Sequence, residues 1–239
     1  MTPLERAREA SFTRLGRLSD QVLTRVTPLR PTDAGPQMFF WPSRVTGAIR
    51  IVHRAQSVLL VTDGMSDPWS PELHPDPPPF TFGIELALEV PNRALDRTSD
   101  EAIAQSWPAD VLWALTEWVV AEHFDVKGRL QRLDCITLGA PPVRGLEPLV
   151  SKNGFVGVLA GLPWGVPDLG RQALLAPLGD DDGVWLAPVK LLTADEYDWA
   201  VAVPDNSRTL ALAKAFLRRG DAHWSWAKRP SVLGSLDPE

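Results

Sequence analysis

Proline constrains this chain more than any other residue. It fills 23 of the 239 positions, about a tenth of them and roughly twice the ordinary share. Its ring fixes φ at about −65° and leaves no N–H to donate, so an all-helical bundle has no room for so many. Loops, turns and strand ends do. Six of them (Pro68, Pro71, Pro75, Pro77, Pro78 and Pro79) crowd into residues 68–79, which read as an irregular surface loop. Hydrophobic residues make up 44% and charged residues 23%, ordinary values that exclude global disorder. The length allows one large domain or two small ones. With no internal repeat and no sharp boundary, a single globular domain rich in β structure is expected.

Lys and Arg number 24 against 30 Asp and Glu, a net charge of −6. The molecule as a whole therefore lacks the basic surface that phosphate contacts need, and nucleic acid is not expected as a partner, although a local basic patch stays open. The single cysteine, Cys135, forms no internal disulfide. No apolar run approaches the ~20 residues that span a bilayer, and the start, MTPLERAREASF, has no signal-peptide core. The expectation is a cytoplasmic protein without membrane segment or cofactor.

Along the chain, Leu4, Ala7, Leu15, Leu18, Val22 and Val26 keep helical spacing, predicting an amphipathic helix over 3–26 that falters at Gly16. Pro28, Pro31, Gly35 and Pro36 then mark a loop. Strands are expected at 45–53, 57–62 and 80–90, the last with Phe82, Ile84, Leu86 and Leu88 on one face and Glu85 and Glu89 on a solvated one. Residues 91–106 read as polar linker. Ser106 as N-cap and Pro108 in the first turn open the clearest helix, which fades by 124–128. Further strands are predicted at 131–138, 149–151, 154–162 and 184–192, the last after the acidic turn Asp180-Asp181-Asp182-Gly183. The spacing of Thr193 and Glu196 is that of a capping box, so a helix follows over 194–201. Another spans 207–219 and is closed by Gly220. The tail, with Trp224 and Trp226 beside Lys228 and Arg229, reads as partly ordered at best.

Chemistry-bearing motifs are few. His53, His74, His123 and His223 are scattered, without metal-ligand spacing, and packing with one hydrogen bond accounts for His53. There is no GxSxG or SxxK, and the glycines from Gly154 to Gly165 form no phosphate-binding pattern. Asp63, Asp67 and Glu72 lie at and beyond the end of one strand, and Glu85 alternates on another. If the strands are neighbours, these acids converge as an acid–base pair or a site for a hard cation. Turn preference accounts for Asp63 and Asp67 as well, and a wet strand face for Glu85, and this structural account is preferred. Among ten tryptophans, Trp69 stands apart in the proline-rich loop, where an exposed aromatic would anchor a protein partner.

Residues 58–67 (VLLVTDGMSD), 82–86 (FGIEL), Trp107-Pro108-Ala109, 155–162 (FVGVLAGL) and 189–196 occur in the order and spacing of the suppressor of fused domain. The chain resembles that family over about residues 45–202. The resemblance implies an α+β fold, a central mixed, largely antiparallel sheet flanked by helices in a single domain, and a non-enzymatic, protein-binding role. It divides the chain into an N-terminal helix and linker (1–36), the suppressor of fused-like domain (37–203), and a C-terminal helix and tail packed on or trailing it (204–239). In animals the domain is joined to a second one and sequesters Gli-type transcription factors. This shorter chain looks like the stand-alone bacterial relatives, which include immunity proteins that neutralise toxins. Leu60 replaces the aromatic that animal members carry before the turn, which weakens transfer of their binding site.

The leading expectation is a protein-binding module, as monomer or homodimer, whose acidity suits a basic partner such as a toxin domain. Its expected contact surface is Asp63, Asp67, Trp69, Glu72 and Glu85. The alternative is a carboxylate-based hydrolase or metal-dependent enzyme using Asp63, Asp67 and Glu85.

Overall fold

The computed structural model describes residues 2–26, 30–32, 35–37, 41–162, 173–174, 183–220 and 224–236. The chain runs α1 (Pro3–Leu15), β1 (Arg17–Val26), β2 (Arg30–Thr32), β3 (Gly35–Gln37), β4 (Thr46–His53), β5 (Ser57–Thr62) and β6 (Ile84–Pro91). Then come α2 (Asp100–Ala104), α3 (Trp107–Ala121), α4 (Val126–Leu133), β7 (Ile136–Ala140), β8 (Val156–Ala160), β9 (Ala173–Leu174), β10 (Trp185–Leu191), α5 (Ala194–Val201) and α6 (Ser207–Arg219).

One sheet organises the fold, in the order β1-β4-β5-β6-β10-β8-β7, with β9 also paired to β10. Every pairing is antiparallel except β6 with β10, so the sheet is mixed and largely antiparallel, as expected for an α+β domain. Alternation along the strands sends side chains to two faces, and both are covered. On the first, Ile49, Ile51, Leu60, Leu86, Val158 and Leu138 pack with Leu112, Leu115 and Val119 of α3 and Leu130 of α4. On the second, Phe12 of α1 packs on Val52, Leu59, Val61 and Ala87. Leu159, Leu192 and Tyr197 close its far end with Leu212 and Phe216 of α6. Double coverage explains the continuous apolar run of β5, all six of whose residues are buried.

Several local signals act as the sequence predicts. Thr193 and Glu196 form the capping box of α5, and Gly220 ends α6 in the left-handed region at φ 73°. The strands at 45–53, 57–62, 154–162 and 184–192 fall on β4, β5, β8 and β10. The turn residues Asp180, Asp181 and Asp182 lie outside the described residues, as do Gly165 and His223.

Other expectations are corrected. The helix from residue 3 stops at Leu15, and residues 17–26 form an edge strand on β4. Leu18, Val22 and Val26 fit helical spacing, but pairing with β4 prevails. A Cβ at Gly16 would sit 2.6 Å from the His53 carbonyl oxygen, so the chain changes direction hard against β4. Two short strands, β2 and β3, pair where a loop was expected. The linker at 91–106 holds a 3-10 turn (Asn92–Ala94) and α2. Ser106 does not cap α3 with its side chain; its hydroxyl donates to the Ile103 carbonyl at 2.6 Å. The strand at 131–138 gives way to α4 and β7, because Asp125 caps α4 by accepting from Gly128 N at 2.8 Å. Residues 149–151 hold the end of a 3-10 turn and an isolated bridge from Val150 to Val156.

The tail is also corrected. Ser225 N donates to the Glu89 carbonyl at 2.8 Å, and Leu191 N donates to Ser225 Oγ at 2.9 Å. Arg229 forms a buried ion pair with Glu196 of α5. Among the described residues, no helix is long and apolar enough to cross a membrane.

Candidate functional site

The turn after β5 and the middle of β6 do meet, because β5 and β6 are antiparallel neighbours. Thr62, ending β5, donates through Oγ1 to Glu85 at 2.6 Å. Past Asp63, three successive residues curl over the same carboxylate. Gly64 N, Met65 N and Ser66 N donate to it at 3.0, 3.3 and 3.1 Å, and Ser66 Oγ at 2.6 Å. Such a nest of successive N–H groups suits an anion, and here the anion is a side chain of the same molecule. Gly64 makes the curl possible, at φ 120° with the Arg44 guanidinium lying where its Cβ would project.

Into this cluster α1 inserts Arg8, fully buried. Its Nε donates to Asp63 Oδ1 at 2.9 Å and lies 3.8 Å from Glu85 Oε1; its Nη1 donates to Ser66 Oγ at 3.1 Å and to Asp67. Asp67 also accepts from Ser43 Oγ at 2.5 Å and from Arg44 at 3.3 Å, and Arg50 reaches Asp63 at 3.6 Å. Burial pushes the Glu85 carboxyl above its ordinary range, while Arg8, Ser66 and Thr62 pull it back. Asp63, Asp67 and Glu85 thus converge, but on a guanidinium that fills the place a cation would take. Among the described residues, no group of three or more His, Cys, Asp or Glu is arranged to hold a metal ion.

The wet strand face expected for Glu85 and Glu89 is absent. Both are buried under the second layer, Glu89 accepting from Arg54 at 2.9 Å and from Ser57. Nor is Trp69 an exposed anchor. It is half-buried, donates through Nε1 to the Phe80 carbonyl at 2.7 Å, and packs against His74, Phe82 and His123 at 4.5, 5.1 and 5.5 Å. Burial, together with the neighbouring His74, holds the His123 imidazole below its ordinary value. Of the five residues expected at a contact surface, Glu72 alone is exposed.

A different concavity is open to solvent. It measures about 930 Å3 and is assembled from four separate segments: the stretch after β6, the α2–α3 junction, the loop after β7 and the C-terminal segment. Trp107 and Trp226, both half-buried, line it together with Leu95 and Ala227. Arg93, Arg97, Arg144 and Lys228 line it too, all exposed. The Arg93 guanidinium lies over the rings of Trp226 and Trp224, at 5.0 and 5.8 Å. Asp96 and Asp110 complete the charge pattern, and burial pushes the Asp110 carboxyl up against the opposing pull of Arg25.

Sequence reasoning passed over Arg93, Leu95, Asp96, Arg97, Trp226 and Lys228 because they sat in segments read as linker and loose tail, and it met Trp107 only as the start of a helix. The usable signal was the adjacency of Trp224, Trp226, Lys228 and Arg229, since aromatics beside cations are what a recognition surface collects. The chain matches no family model, and no curated protein or solved structure matches it.

Proposed function

We propose that this chain is a non-enzymatic protein-binding module acting in the cytoplasm. The observation that carries the reading is the half-open cleft between the β6 end, the α2–α3 junction and the C-terminal segment. Tryptophan and arginine are the residue types that dominate binding energy at protein interfaces, and both line it. The carboxylate-enzyme reading needs Asp63, Asp67 and Glu85 open to a substrate, and Arg8 occupies the space between them. Resemblance to the suppressor of fused domain points the same way and makes toxin neutralisation the specific role to test first.

Co-expression with the products of the flanking genes, followed by size-exclusion chromatography and hydrogen exchange, tests the proposal. A stoichiometric complex with slowed exchange around residues 93–97 and 226–228 is the expected result. Elution of the chain apart from every one of those products would sink it.

A further inference from the structure

Resting on the protein-binding reading, we infer that the cleft receives an extended acidic segment of the partner, with carboxylates against Arg93, Arg97, Arg144 and Lys228 and apolar side chains against Trp107 and Trp226. The first ground is charge left over. Arg8, Arg25, Arg44, Arg50, Arg54 and Arg229 all form ion pairs with carboxylates of this chain. Among the described residues the four cleft cations form none; the Glu147 carboxyl is held low first by the backbone N–H of Gly145, with Arg144 only a lesser contributor. An acidic chain with 30 carboxylates against 24 cations has thus gathered, at one place, four cations without an ion-pair partner among the described residues, against two carboxylates, Asp96 and Asp110, in the same lining.

The second ground is preorganisation. The Arg93 guanidinium lies over two indoles, at 5.0 and 5.8 Å, which narrows the positions it takes, and a guanidinium so held can meet a carboxylate. The indoles themselves stand on rigid elements. Trp107 begins α3, and Trp226 follows a segment tied to β6 and β10 through Ser225. Little order remains to be imposed on binding, which favours affinity.

The third ground discriminates between polyanions. Asp96 and Asp110 sit among the cations, so a phosphate backbone, charged at every repeat, meets repulsion there. A peptide alternating acidic and apolar residues meets complementary groups instead.

Fluorescence anisotropy with a labelled peptide alternating glutamate and leucine tests the inference, against its lysine–leucine counterpart and a single-stranded oligonucleotide of equal charge. The glutamate peptide is expected to bind, more weakly as salt rises, and the other two are not. The double variant Arg97→Glu, Lys228→Glu, with both changes at exposed positions, should weaken that binding by about tenfold or more at an unchanged melting temperature. Preference for the oligonucleotide, absence of peptide binding, or equal affinity in the variant overturns the inference. If a flanking-gene complex forms and survives the charge reversal, the acidic-segment inference fails while the protein-binding reading stands; absence of any protein complex removes both.

Discussion

Arg8 is fully buried with its charge shared among Asp63, Asp67 and Glu85, so its removal strands charges in a dry interior. Breaking a buried pair from one side costs about 3–5 kcal/mol, and Arg8→Ala is expected to lose that much in a urea titration. A loss within the range of a surface pair, about 0–1 kcal/mol, would mean that water reaches the cluster. Asp100 gives a pH-dependent counterpart. Burial raises its carboxyl, but hydrogen bonds from Ser19 and from His53, at 2.6 Å, outweigh burial and hold it below the ordinary carboxylate range. The folded form therefore ionises at lower pH than the unfolded chain. The stabilisation is complete above the unfolded value of about 3.9 and disappears as pH falls through the folded value. Asp100→Asn should accordingly be less stable than the parent near neutrality, with a gap that closes in urea titrations stepped downward from about pH 4.

Within elements, close approach decides which small residues are replaceable. A Cβ on Gly157 of β8 would lie 2.4 Å from Tyr197 Cβ on α5, a contact neither backbone can relieve by a rotamer change. Gly157→Ala is expected to cost about 1–3 kcal/mol by overpacking. Gly234, in the 3-10 turn Leu233–Ser235, has nothing within 4 Å of such a Cβ, so Gly234→Ala should leave the melting temperature unchanged or raise it slightly. Equal melting temperatures for the two variants would contradict the β8–α5 packing. Element type was legible where the signal is local: the Thr193–Glu196 box, the Gly220 stop, the apolar run of β5. It failed at residues 17–26, where one apolar spacing fits a helix and an edge strand alike, and at 126–133, where the cap at Asp125 outweighed a strand-like pattern further on.

Across the whole molecule, the first helix and the segment after α6 are tied to the same sheet. From the start come Phe12 and Arg8 on the second face; from the finish come Ser225 against Glu89 and Arg229, which donates to the Leu191 carbonyl of β10 at 3.0 Å. Far-UV circular dichroism and tryptophan fluorescence should therefore report one coincident urea transition. Truncation after Gly220 removes the Arg229 partner of fully buried Glu196 and should cost about 3–5 kcal/mol. Two separated transitions in the intact protein would show that an end folds apart from the sheet.

The sequence by itself determined what neighbouring residues can settle: proline and turn chemistry between strands, helix caps, and the apolar runs that demand burial on both faces. It also brought Asp63, Asp67 and Glu85 to attention as acids that neighbouring strands would unite. Their use was decided by tertiary structure alone, because the guanidinium that closes on them arrives from residue 8, 55 positions before Asp63. The cleft was decided the same way. Arg93, Trp107, Arg144 and Lys228 share a surface only after β6, α3, the β7 loop and the tail have packed, and no local pattern carries the sum of charges brought together over such distances along the chain.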